Sequence, residues 1–236
     1  MYEDPKSFPV DATASPWLKA DDRGAAARPS AAFLALQLIL VYGLIEAALW
    51  TAPGRLETTW IALASLCVLL SSLTGNFSAQ QMGIAFPTRA SSRRIVLCGI
   101  VLAAAIPLCS MAVDFDAPAN VLPLRQAGQY AAWALVQQFI LQSFFFVRLE
   151  AVLGGRRAVW ATAILFAASH IPSPVLTIFS FLGGLFFCEM FRRHRNIFPL
   201  GLVHAMLGLI VAASFSDVVL HHMRVGEGFL SFHQHP

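Results

Sequence analysis

The stretch VQQFILQSFFFVR, residues 136–148, decides how the rest of the chain is read. It has the apolar density of a membrane helix, yet it carries three amides and ends in an arginine. An amide in a bilayer costs free energy unless another group bonds it. The stretch therefore predicts a membrane-spanning helix whose Gln137, Gln138 and Gln142 have partners to meet. Gln138 and Gln142 are four apart and share one helix face.

The whole chain supports that reading. It has 236 residues, 57% hydrophobic and 12% charged, against about 25% charged in a soluble domain. A water-soluble globular fold is excluded, and an all-α, polytopic transmembrane helix bundle of about seven to eight helices is expected. Seven apolar segments stand out, near 31–51, 58–75, 95–113, 126–148, 158–172, 174–191 and 197–215. Most approach the ~20 residues a spanning helix needs. The fifth is short, so it is expected to stop early, tilt, or bury its end against protein. Residues 1–30 read as a polar cytoplasmic tail, 31–216 as the bundle and 217–236 as a C-terminal tail. With the N-terminus inside, thirteen of the sixteen Lys and Arg residues fall on the inner side, and only Arg55, Arg125 and Arg224 fall outside. That is the positive-inside bias. Asp114 and Asp116 fall outside, and Tyr130 lies near the outer interface. Cys67, Cys98, Cys109 and Cys188 sit singly in apolar runs, with no C-x-x-C pair, so they read as packing residues.

Few polar groups remain inside the membrane: Glu46, the three glutamines, His170, Glu189, His204 and some hydroxyls. Depth follows from the rise of ~1.5 Å per residue. Measured from the inner edge, Gln142 lies at roughly 9 Å, Gln138 at roughly 15 Å, His204 at roughly 10 Å and His170 at roughly 18 Å. These layers overlap, which predicts a common polar site where the fourth, fifth and seventh helices meet. The plainer alternatives are that the amides only tie helices together and that each histidine is a satisfied interior group. Glu189 reads as an ion-pair partner of the adjacent Arg192, Arg193 and Arg195. Glu46 is placed in the outer half of the first helix, away from the polar layer.

The order of motifs resembles a known family. Phe166-Ala167-Ala168-Ser169-His170 fits F-x-x-x-H. It is followed by Ile171-Pro172-Ser173-Pro174, the Gly183-Gly184 pair, a basic turn, Asn196, Pro199 and Leu202-Val203-His204-Ala205. This set resembles the CPBP family of intramembrane proteases, the Abi or CAAX-protease-and-bacteriocin-processing family, over about residues 130–214. The resemblance implies an intramembrane endopeptidase or prenyl-protein-protease-like processing protein in a bacterial inner (plasma) membrane. In that family a glutamate and the histidines position and activate water, and an asparagine with a histidine stabilises the oxyanion. The candidate catalytic residues carried onto this chain are Gln138, Gln142, Arg148, His170 and His204.

The chain departs from the family pattern at two places. The family's E-E-x-x-x-R ends here in Arg148, but Ser143 and Phe144 stand at the paired glutamates, with Gln142 the nearest amide. The final asparagine position, four after His204, is Gly208. A similar branch of the family has Q-Q-x-x-x-Q and a later R-V-G-x-G, as in Arg224-Val225-Gly226-Glu227-Gly228. Glutamine cannot serve as a general base, and losing a positioned base costs about 10²–10⁴ in rate. Histidine is the replacement, since its unperturbed pKa is ~6.5. His170 or His204 would act, with Gln142 and Arg148 orienting substrate or water. Two histidines and an amide are a poor zinc set, because catalytic zinc takes three good ligands, so no cofactor is expected. The expected partners are membrane lipids and a peptide or membrane-protein substrate, with no nucleic acid. The competing reading is a catalytically inactive member that binds or scaffolds a membrane partner.

Overall fold

The computed structural model describes residues 29–75, 77–86, 88–113 and 123–231. The N-terminal tail with its four basic residues, Asp114, Asp116 and the last five residues lie outside the described residues. Among the described residues the chain is all-α, without a strand. Seven principal helices follow in order: α1 (Ala31–Leu49), α2 (Arg55–Leu73), α3 (Arg89–Val113), α4 (Leu124–Leu153), α5 (Gly155–Ala168), α6 (Pro174–His194) and α7 (Ile197–Ser214). All but α5 are long and apolar enough to cross a membrane. The 14 residues of α5 span only ~21 Å of a ~30 Å hydrocarbon core. Its end therefore lies inside the protein, where side chains and a turn must satisfy the freed carbonyls.

Local sequence explains the helix ends. Ser30 starts α1, its Oγ accepting the Phe33 N–H at 3.2 Å. Asn196 starts α7, its Oδ1 accepting the Phe198 N–H at 3.1 Å. The same side chain donates to Ala85 O at 2.9 Å, which ties the α6–α7 turn to the α2–α3 loop. A buried Glu150–Arg195 ion pair closes the same corner. Glu189 meets Arg192 and Arg193 at the C-terminal end of α6.

Helix α4 is regular except over Phe139–Phe146, which is π-helical. The wide turn accommodates one extra residue, and the Val147 N–H bonds Gln142 O five residues back. Residues 141 to 150 are buried without a break, which a regular amphipathic helix does not achieve. Small residues let α4 and α7 touch closely, since a Cβ at Gly201 would stand 2.8 Å from Leu135 Cδ1. Gly184 plays the same part between α6 and α5, where its Cβ would meet Ala163 Cα at 3.0 Å.

The stretch expected as a C-terminal tail folds back instead. Residues 217–231 form α8 (Asp217–Leu220), a 3₁₀ turn and α9 (Glu227–Leu230). Leu220, Val219, Met223 and Val225 pack on Leu176, Val211 and Phe215. The Gly226 N–H donates to Ile171 O at 2.9 Å, just past the broken end of α5. The R-V-G-x-G element thus covers the turn that carries His170. Gly226 has φ +56°, and a Cβ there would lie 2.1 Å from Leu49 O. Gly226→Ala should therefore cost more than about 1 kcal/mol, a fall of roughly 2–4 °C or more in the thermal midpoint. Thermal unfolding in detergent beside Gly228→Ala, where only Arg224 side-chain carbons approach, measures the difference.

Candidate functional site

Two of the three amides, Gln138 and Gln142, meet partners. Gln142 Nε2 donates to Gln138 Oε1 at 3.4 Å, and Gln138 Nε2 lies 3.1 Å from His204 Nδ1. Both glutamines are fully buried and His204 is nearly so. Because the amide nitrogen can only donate, His204 Nδ1 accepts, and its proton resides on Nε2. Gln142 Nε2 also approaches Cys188 Sγ at 3.6 Å, so one cysteine joins the polar layer. Gln142 Oε1 is buried and accepts no hydrogen bond from the described residues. The π turn explains how Gln142 reaches this layer. Six before Arg148, it takes the direction that the fifth residue back would hold in a regular helix.

His170 is held differently. Its Nδ1 lies 2.6 Å from Phe166 O, an acceptor only, so Nδ1 carries the proton and Nε2 keeps its lone pair. The amides do not bond it directly. The link is Phe166, whose ring packs edge-on against His170 at 4.8 Å and against His204 at 5.9 Å. The two imidazoles therefore flank one phenyl ring and present opposite chemistry: a free Nε2 lone pair on His170 and an Nε2–H on His204.

Two groups that the sequence placed elsewhere belong to this region. Glu46 reaches α5, where Ser169 Oγ donates to its Oε1 at 3.2 Å and Trp50 Nε1 to its Oε2 at 3.1 Å. Ser169 immediately precedes His170, so this bond ties Glu46 to the turn that carries the histidine. The depth count already allowed this, since Glu46 lies ~22 Å along α1 and Ser169 ~21 Å along α5. What the count lacked was the facing direction of α1. The second group is Tyr130. A Cβ on Gly208 would stand 1.8 Å from its hydroxyl oxygen, so the tyrosine fills the space that the family's asparagine side chain would need. Gly208 is one turn beyond His204, with about 5–6 Å between such Cβ positions.

Arg148 is not brought to the amide–histidine cluster. It is 1% exposed and donates from Nε to Gln37 Oε1 at 2.9 Å, from Nη1 to Phe144 O at 3.1 Å and from Nη2 to Ser71 O at 2.8 Å. Its guanidinium stacks over Phe144 at 4.0 Å. It ties α1, α2 and α4 together. Lysine cannot reproduce a three-way planar fork, so Arg148→Lys should destabilise by about 2–4 kcal/mol through lost bonds to buried acceptors. Arg156→Lys, at an exposed position, should stay within about 0.5 kcal/mol. Parallel thermal unfolding of the two variants checks the contrast.

Among the described residues, no group of three or more His, Cys, Asp or Glu is placed to hold a metal ion, and the four cysteines are free. Residues 124–210, a little over a third of the chain, match the family model described as Rce1-like, type II CAAX prenyl endopeptidase Rce1-like. No curated protein and no solved structure matches the chain. The matched segment runs from the start of α4 through His204 and so contains the amides, the F-x-x-x-H element and both histidines, and over it the chain is similar to the CAAX-protease-like membrane proteins.

Proposed function

We propose that the protein is an intramembrane endopeptidase that works with two histidines of opposite tautomer in place of the family's glutamate pair. The observation that carries this reading is the pairing of the two Nδ1 atoms: Phe166 O beside His170 Nδ1 leaves Nε2 as a lone pair, and Gln138 Nε2 beside His204 Nδ1 leaves Nε2 as the proton-bearing nitrogen. In the proposed reaction a water gives a proton to His170 Nε2 as its oxygen attacks the scissile carbonyl carbon. The carbonyl oxygen takes up the negative charge and is held by His204 Nε2–H and the Tyr130 hydroxyl. Collapse breaks the C–N bond, and the leaving amine takes the proton from the His170 imidazolium. Glu46, beside His170, favours the imidazolium while it exists. Gln138 and Gln142 fix the His204 tautomer, and Arg148 is a positioning residue that holds α4 in place.

The substrate of this reading is a peptide or membrane-anchored protein segment. The setting is a bacterial inner membrane, with the N-terminal tail and the α6–α7 turn cytoplasmic. One observation favours the runner-up, an inactive member that binds a membrane partner. Ser143 and Phe144 stand where the glutamates would be, and Ser143 Oγ is engaged with Met82 O at 2.6 Å.

The test is to reconstitute the purified protein with a library of membrane-anchored peptides and follow cleavage by mass spectrometry. The peptidase reading expects cut products from wild type and from Cys188→Ala, and none from His170→Ala or His204→Ala. If wild type cuts nothing while the histidine variants fold and retain the same bound partner, the binding reading replaces it.

A further inference from the structure

We infer a second site, unrelated to the chemistry above, that takes the phosphate of an anionic phospholipid at the inner ends of α1 and α2. Arg148 is the starting point. Its three hydrogen bonds go to neutral acceptors, and no described carboxylate pairs with it. A buried charge is costly unless a counter-ion meets it, none does so among the described residues, and this one lies at the wall of a cavity of about 380 Å³. Pro29, Ser30, Phe33, Gln37 and Thr74 complete much of that wall.

A second feature of the same cavity also favours an anion. Ser30 and Phe33 are the N-cap and first turn of α1, a 19-residue helix whose first N–H groups lack intrahelical partners and whose dipole is positive there. The first turn of α1 has no acidic side chain to offset it. A buried guanidinium and a helix N-terminus thus converge on one space from two elements.

The apolar surroundings indicate where the anion comes from. Phe33, Leu36 and Leu40 lie on one face of α1 at i, i+3 and i+7, and all are half-exposed or more. They continue from the rim of the cavity along the helix, as an acyl chain would. The cavity lies at the first turn of α1 and just past the end of α2, the helix ends that the positive-inside rule assigns to the leaflet rich in anionic lipid.

The experiment uses the full chain in nanodiscs of phosphatidylcholine with increasing phosphatidylglycerol, and counts retained lipid by native mass spectrometry. Wild type should retain one phosphatidylglycerol over phosphatidylcholine by at least about fivefold, the worth of a single basic contact. Thr74→Glu places a carboxylate at the cavity wall and should erase the preference with the fold intact. Arg148→Gln should also erase it, and Arg94→Gln should not. Equal preference in wild type and Thr74→Glu overturns the site. Displacement by inorganic phosphate at the concentration of phosphatidylglycerol would make the ligand a free anion and overturn the lipid assignment. A preference that emerges only after deletion of residues 1–28 would assign the cavity to a carboxylate of the chain's own N-terminal tail and overturn it as well.

Discussion

His170→Ala should lower kcat on a cut peptide by about 10²–10⁴, the usual worth of a positioned general base, with KM changed little. The proton-accepting atom is His170 Nε2, because Nδ1 is committed to Phe166 O. Alanine also removes the ring that packs on Phe166, so a folding control is needed. His170→Gln, which keeps bulk and polarity without basicity, should be as inactive. Glu46→Gln should have a smaller effect, roughly tenfold in kcat, because it removes charge beside the imidazolium without removing the base. Glu46→Asp should recover part of that loss. A purely structural Glu46, serving only Ser169 and Trp50, would instead tolerate glutamine in kcat and lose stability in both variants.

Tyr130→Phe is the other large expected effect, a loss of about 10²–10³ in kcat, as for removal of one oxyanion donor. The ring remains, so packing against Gly208 is kept. Gly208→Asn alone should fail, because its Cβ would collide with the Tyr130 hydroxyl and overpacking costs about 1–3 kcal/mol. The double variant Tyr130→Ala, Gly208→Asn opens that space and returns an amide donor one turn beyond His204. It should be at least tenfold more active than Tyr130→Ala alone. A double variant no better than the single one would leave Tyr130 as a packing residue only.

The helix bundle and part of the polar layer's geometry are legible in the sequence. The burial cost of amides and the matching depths along α4, α5 and α7 pointed to one polar layer, and Gln138 does meet His204. The apolar runs and their basic flanks gave the bundle. What depth alone cannot supply is direction around a helix axis. Depth therefore does not show that Glu46 faces Ser169 or that the Tyr130 hydroxyl faces Gly208. The π turn of α4 has no signature in its run of apolar residues. It accompanies the unbroken burial of residues 141 to 150, and it changes which residue stands over which. The family resemblance implies a place for Arg148 in the site. Its actual partners, Gln37 and the Ser71 carbonyl, come from helices too distant in sequence for spacing to reveal. The fold-back of residues 217–231 depends on Gly226 and an exposed carbonyl at Ile171, a tertiary fit that composition does not announce.

The central claim is that the two histidines carry their protons on opposite nitrogens. Nitrogen-15 NMR of histidine-labelled protein in nanodiscs at neutral pH measures this directly, with His170→Ala and His204→Ala used to assign the two signals. The account predicts His170 protonated at Nδ1 with a bare Nε2, and His204 protonated at Nε2 with Nδ1 accepting from Gln138. Gln138→Leu should release the His204 preference and leave His170 unchanged. Two histidines in the same tautomer, or a His204 protonated at Nδ1, would contradict it.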